Sequence, residues 1–253
     1  MLTVLLFCLP AADPVPDMAA ESAAAVQEAA VGSLGFESLF NGMDLSGWVV
    51  PEGDNGHWRV IDGVIDYDAR SEAPGDKNLR TEREFQNFIL ELEWRVSEQP
   101  PVSLAPIILP DGTYLLDSNG EQVKVPRPIA DSGIYLRGQP SAQVNIWGWP
   151  AGSGEMYGYR NASSGELKSK LVPTMNADRP LGEWNRFTIV LIGRTLTVLL
   201  NDQLIVDRAE LPDKLPESGP IVLQHHGGVD ADGNVRPSSA TVQFRNIRVK
   251  ELP

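Results

Sequence analysis

Asn87-Phe-Ile-Leu-Glu-Leu-Glu-Trp-Arg-Val96 alternates without a break. Phe88, Leu90, Leu92, Trp94 and Val96 fall on one side, and Ile89, Glu91, Glu93 and Arg95 on the other. A period of two marks a strand with one buried and one wetter face, and no helical period fits it. Working outward, His57–Val60 and Gly63–Tyr67 read as strands joined through Asp62-Gly63, and Asp-Gly between apolar runs is a strong hairpin signal. Asn78–Thr81, Asp131–Arg137, Asn185–Ile192, Thr195–Asn201, Gln203–Asp207, Pro220–Gly228 and Ala240–Glu251 read as further strands. Ser97–Ile129 is turn-rich and is expected to carry a surface hairpin, Tyr114–Leu116 with Gln122–Val125. Asn161–Pro180 reads as a polar loop. There is no long helical pattern and no internal repeat. With 23 Gly and 20 Pro in 253 residues, this predicts an all-β chain: a two-sheet antiparallel jelly-roll sandwich.

The formal net charge is −13. No basic stripe offers itself to nucleic acid or an anionic membrane, whereas a neutral ligand such as a sugar is compatible. Leu2–Leu9 is too short an apolar run to span a bilayer but matches the core of a secretory signal, although no positive segment precedes it. Cys8, the single cysteine, lies inside this run, and the bulky Phe7 before it argues against lipidation. The expected organisation is a signal-like segment and Ala-rich tether over residues 1–33 and a β-sandwich over 34–253. The expected location is periplasmic or extracellular. Without Cys8 there is neither a disulfide nor a thiolate ligand. Asp230, Asp232 and Asn234 resemble the start of a calcium loop, but its distal Glu is missing, so the segment reads as a turn. No nucleotide-loop, nucleophile-elbow or zinc motif is present. No metal and no cofactor are therefore expected, and nothing sets an oligomeric state.

Ala142–Arg160, reading AQVNIWGWPAGSGEMYGYR, is the most functional-looking segment. It opens as a strand with Gln143, Asn145 and Trp147 on one face, breaks at Gly148–Pro150, and is expected to re-form as a strand over Glu155–Arg160. Aromatic rings for sugar C–H faces, and amides and charges for hydroxyls, suit a saccharide. Other rows offer matching groups: Glu91, Glu93 and Arg95; Asp131, Tyr135 and Arg137; Gln224 and His226. If these rows share a face, they make a polar groove. His226 is the candidate for proton transfer, and His225 should point to the other face. Glu155 follows a Gly-rich break and could enter the groove. Each residue also has a plainer structural reading: a solvated charged face, a turn carboxylate or a surface Arg.

Several runs, in this order, resemble the 3-keto-disaccharide hydrolase family: Phe36–Trp48 (FESLFNGMDLSGW), Trp58–Ile65, Asn78–Thr81 with Phe88–Arg95, Ser132–Gly138, Gly182–Asn185, Gly219–Gly227 and Phe244–Arg248. The resemblance implies a concanavalin A-like sandwich that cleaves glycosides already oxidised to a ketone at C3. For such a reaction the residue reading above puts forward His226 as base or acid, with Glu155 and Glu93 as candidate partners. Arg137, Gln143 and Asn145 would bind hydroxyls or an enolate, and Trp147 and Tyr157 would stack on the sugar. Arg160, Asp131, Tyr135 and Gln224 would line the site. Many members carry Asn before Ser132-Gly133 and an acidic residue near Gln143, so Asp131 and Gln143 point to a subgroup with altered substrate choice. The competing readings are a non-catalytic carbohydrate-binding module and an envelope interaction domain.

Overall fold

The computed structural model describes residues 35–71, 73–96, 100–227 and 241–253. The Leu2–Leu9 run, Cys8, the tether and the Asp230–Asn234 turn lie outside the described residues. The alternation of β6 (Asn87–Val96) is realised: Phe88, Leu90, Leu92, Trp94 and Val96 enter the core. Its other face carries charge, with Glu91 accepting from Arg248 at 2.7 Å and Glu93 from Arg245 at 2.6 Å.

Around β6 runs an antiparallel sheet in the order β13 (Gln203–Glu210), β12 (Thr195–Leu200), β11 (Asn185–Ile192), β6, β15 (Val242–Leu252), β4 (Val64–Tyr67) and β3 (Trp58–Ile61). Strand β1 (Glu37–Ser38) also pairs with β15. The second sheet runs β10 (Gln139–Trp147), β9 (Asp131–Leu136), β14 (Val222–Leu223), β5 (Leu79–Thr81) and β2 (Trp48–Val49), again antiparallel. One core lies between the sheets. Leu90, Leu92, Ile189 and Phe244 come from the first, and Ile134, Leu136, Val144, Ile146 and Leu223 from the second. This is the two-sheet antiparallel sandwich that the alternation predicts. The β3–β4 hairpin turns at Asp62 and Gly63, both with positive φ (50° and 77°), as a tight Asp-Gly turn requires.

Three local expectations change. The insertion before β9 is larger than a single hairpin: β7 (Val102–Pro106) pairs with β8 (Lys124–Pro128), and Leu115 bonds both Ile107 and Val123 beyond them. Of the expected Pro220–Gly228 strand, Gly228 lies outside the described residues, and among the described ones Val222–Leu223 form the strand, Pro220 having no N–H to give and the Gln224 N–H making a further bond to the Gly133 carbonyl. Finally, the expected strand Glu155–Arg160 is instead the entry to helix α1 (Tyr157–Ala162), and the polar loop after it holds α2 (Gly165–Lys170). Met156 and Tyr159, three apart, are both buried, and the Arg160 N–H donates to the Met156 carbonyl. This helical spacing turns one face onto β10.

The chain leaving β10 is pinned by a close backbone approach. A Cβ at Gly148 would lie 1.8 Å from the Pro128 carbonyl oxygen. Gly148→Ala is expected to destabilise the fold by about 2 kcal/mol or more, read as a lowered urea midpoint with an unchanged m-value.

Candidate active site

The register of the second sheet decides which side chains meet. Gln143 lies opposite Tyr135, Asn145 opposite Gly133, and Trp147 opposite Asp131. Val222 lies opposite Tyr135 on one side and Arg80 on the other. Since Ile134, Leu136, Val144, Ile146 and Leu223 enter the core, Asp131, Tyr135, Gln143, Asn145 and Trp147 share the outer face, as sheet alternation requires. Gln224 and His226 continue that parity beyond β14, and His226 Nε2 lies 3.5 Å from Asp131 Oδ2.

Gly133 makes this patch possible. A Cβ there would fall 2.4 Å from Gln143 Nε2. Its absence lets the Gln143 amide lie across β9, donating to the Ser132 carbonyl at 3.1 Å and to Gln224 Oε1. The Gln224 side chain in turn hydrogen-bonds the Tyr135 hydroxyl. Burial pushes the Tyr135 hydroxyl up to about 12, so it stays a proton donor at neutral pH. Burial also raises the Asp131 carboxyl to about 6, with the nearby His226 pulling the other way. Tyr135 and His226 open on a cleft of about 440 Å³ shared with Asp76, Lys77, Asn78 and His225.

His225 has the opposite parity and a different job. Its ring lies edge-on to Tyr67 at 4.9 Å, and its Nε2 accepts the Ser71 N–H at 3.2 Å. Burial and the Lys77 charge push it down to about 4, so it is neutral at pH 7. Its own N–H donates to Asn78 Oδ1 at 2.8 Å, while Tyr67 donates to the His226 carbonyl. The backbone of the His pair is thus held from inside the core. Tyr67 and Asn78 escape a sequence reading. Tyr67 alternates like an ordinary core residue, and Asn78 bears on the His pair only through folding.

Beyond Asp131 stands an aromatic wall. Trp147 and Trp149 stack at 3.8 Å and 9°, and Tyr157 meets both edge-on at 5.6 and 6.0 Å. The other sequence candidates lie elsewhere. Glu93 sits on the outer face of the first sheet, paired with Arg245, so its row does not join this one. Arg137, buried at a positive-φ turn, donates to the carbonyls of Gln86 and Pro216. Asn145 is buried beneath the returning chain, its backbone bonded to Gly154 and Glu155. Glu155 and Arg160 are fully buried as an ion pair, and Arg160 also donates to the Gly112 carbonyl and the Tyr114 hydroxyl at 2.9 and 2.8 Å. Burial raises the Glu155 carboxyl, and the Arg160 charge and hydrogen bond offset part of that rise. These four residues hold loops and strands in place instead of facing the cleft. Among the described residues no group of three or more His, Cys, Asp or Glu side chains could hold a metal ion.

A family model described as the 3-keto-alpha-glucoside-1,2-lyase-like domain matches residues 35–250. A 3-keto-disaccharide hydrolase of Bacteroides thetaiotaomicron is 25% identical over 241 residues, covering 86% of this chain and 79% of that protein. Two crystal structures of candidate glycosyl hydrolases from Parabacteroides distasonis share the fold. One superposes with a TM-score of 0.55 at 22% identity, covering 87% of this chain and 84% of that one. The other has a TM-score of 0.54 at 17% identity, covering 87% and 95%.

The buried pair supplies a stability test. Arg160→Leu leaves a buried carboxylate unpaired and is expected to cost about 3 kcal/mol, whereas the Glu155→Leu/Arg160→Leu double variant recovers most of it. Urea unfolding of the two singles and the double closes the cycle.

Proposed function

We propose, from the premise that this chain belongs to the 3-keto-alpha-glucoside-1,2-lyase-like family, that it is a carbohydrate-acting enzyme cleaving 3-keto-glycosides by proton abstraction at C2. The observation that carries this reading is the Asp131–His226 pair, 3.5 Å apart, with His226 and Tyr135 lining one cleft and the Gln224 and Gln143 side chains linked to Tyr135.

A C3 ketone acidifies the C2 proton, so a single well-placed base can start the cleavage. The His226 imidazole takes that proton, and the C2–H electron pair forms the enolate of C2–C3. The Tyr135 hydroxyl, kept protonated by burial, donates to the developing O3 charge, with the Gln143 and Gln224 amides aligning it. The enolate re-forms the ketone as C1=C2 forms and the C1–O bond breaks. His226 returns its proton to the departing oxygen. Water then adds its oxygen to C1 and a proton to C2, so the sum is hydrolysis. Asp131 holds the imidazolium between the two transfers. Trp147 stands opposite Asp131 across the β9–β10 ladder, and Trp149 and Tyr157, packed on it, are the rings offered for stacking, with Glu155 and Arg160 as positioning residues for the chain that carries them. The paired carboxylates of ordinary glycosidases are not needed for this route.

Two measurements test the proposal. His226→Ala is expected to lower kcat on a 3-keto-disaccharide by about 10²-fold or more with KM little changed, the circular dichroism spectrum staying the same. Full activity in that folded variant, or a wild-type protein that binds such glycosides without turning them over, would sink it. The second measurement is pH dependence. The pair works with Asp131 ionised, so kcat/KM is expected to fall as pH drops through about 6, and Asp131→Asn should lose that acid limb together with most of the rate.

The same carboxyl gives a stability prediction of opposite sign. Its folded value of about 6 lies above the ordinary 3.8. The stability this group contributes is present below about pH 4 and is lost as pH rises through 6. Asp131→Asn is therefore expected to be more stable than the wild type at pH 7 by about 1–2 kcal/mol, a value discounted because part of the side chain still meets water. Thermal melts at pH 4 and pH 7 read the difference.

A further inference from the structure

The β7–β8 hairpin belongs to neither sheet, and its two outer edges differ. Register decides which backbone groups each edge presents. The Ile107 N–H donates to the Val123 carbonyl, and the Ile129 N–H to the Pro101 carbonyl. Every second pair between them is therefore the bonded kind: Ala105 with Val125, and Ser103 with Arg127. The alternate pairs, Val102 with Pro128 and Leu104 with Pro126, turn their backbone groups outward. On β8 these outward positions are proline, which has no N–H, so another strand finds no donor there. On β7 they are Val102 and Leu104, whose N–H groups meet no acceptor among the described residues. Val102 and Leu104 are 65% and 61% exposed. Ser103 is exposed too, whereas Ala105 and Pro106 are buried. This is an open strand edge with apolar side chains, beside one that proline closes.

We infer that β7 pairs with the same strand of a second copy of this chain, antiparallel, about a two-fold axis through Ser103. Val102 then faces Leu104 of the partner subunit, and Leu104 faces the partner subunit's Val102. Each outward N–H finds an outward carbonyl, and the two Ser103 residues sit at the close, non-bonded position between them. The edge complements itself because its donors are two residues apart, the spacing that a two-fold axis midway between them requires. A register shifted one way would need the buried Pro106, and one shifted the other way would need Pro100, buried and without an N–H. Residues 102–106 carry no charge. Two copies of an acidic chain therefore meet where like charges do not oppose. Val102 and Leu104 share a hairpin face with Pro126 and Pro128, so pairing joins two apolar patches into one. The prolines of β8 close the far edge, and assembly stops at two copies.

Sedimentation velocity on the full chain tests the pairing without turnover. So short an interface is expected to dimerise at about 0.1 mM. Leu104→Pro removes an outward N–H and leaves the hairpin's own ladder whole, because the opposite position on β8 is already proline. It should weaken the dimer about tenfold or more. The Cys8→Ser/Ser103→Cys variant brings two thiols within disulfide reach across the axis and should form a covalent dimer on oxidation. A wild type that stays monomeric at about 1 mM overturns the inference. So does a dimer unmoved by Leu104→Pro with an unchanged circular dichroism spectrum, or a series of species growing beyond two copies. Should Leu104→Pro not fold, the cysteine variant carries the test, and failure to cross-link overturns the pairing.

Discussion

Ile134, Leu136, Val144 and Ile146 are fully buried, and their burial holds β9 and β10 in a single register. Each such side chain gains about 1.5–3 kcal/mol on leaving water. A slip of one residue would turn all four outward and drive Tyr135 and Gln143 into the core, which makes the alternative prohibitive. The polar face of the second sheet is therefore a consequence of its apolar one. Asp131, Tyr135 and Gln143 stand together because the residues between them must be hidden. Gly133 completes the arrangement by leaving the space that the Gln143 amide fills.

Guanidinium groups do structural work around this sheet. Arg137 ties the turn after β9 to the Gln86 and Pro216 carbonyls. Arg160 joins the helix after β10 to the insertion before β9, through Glu155, Gly112 and Tyr114. A buried ion pair gains little net stability over an apolar replacement, but its fixed directions specify one geometry. The geometry specified here is the path of the chain between Trp147 and Tyr157, the residues that build the aromatic wall.

The Asp131 carboxyl is kept where water is scarce, at a cost to the folded state, and a carboxylate placed beside an imidazole is what proton transfer requires. Tyr67 and Asn78 fix the backbone of the neighbouring His pair from the core side. The groups proposed to move protons are thus mounted on a frame fixed from the core, the kind of placement that such a reaction would need.

Alternation in Asn87–Val96, the Asp62-Gly63 turn and the strand runs that follow them determine a two-sheet antiparallel sandwich, because a period of two has only one way to hide its apolar half. The same rule places Tyr135, Gln143, Gln224 and His226 on one face and sends His225 to the other. It could not place Glu93, since parity says which side of its own sheet a residue faces and nothing about which sheet lies there. Nor could it read Glu155 and Arg160, whose burial depends on an insertion folding back from over forty positions earlier in the chain. Alternation along each strand sets the faces. Tertiary structure alone decided which faces meet, which charges are sealed inside, and that Asp131 stands next to His226, because those follow from contacts between strands distant in the chain.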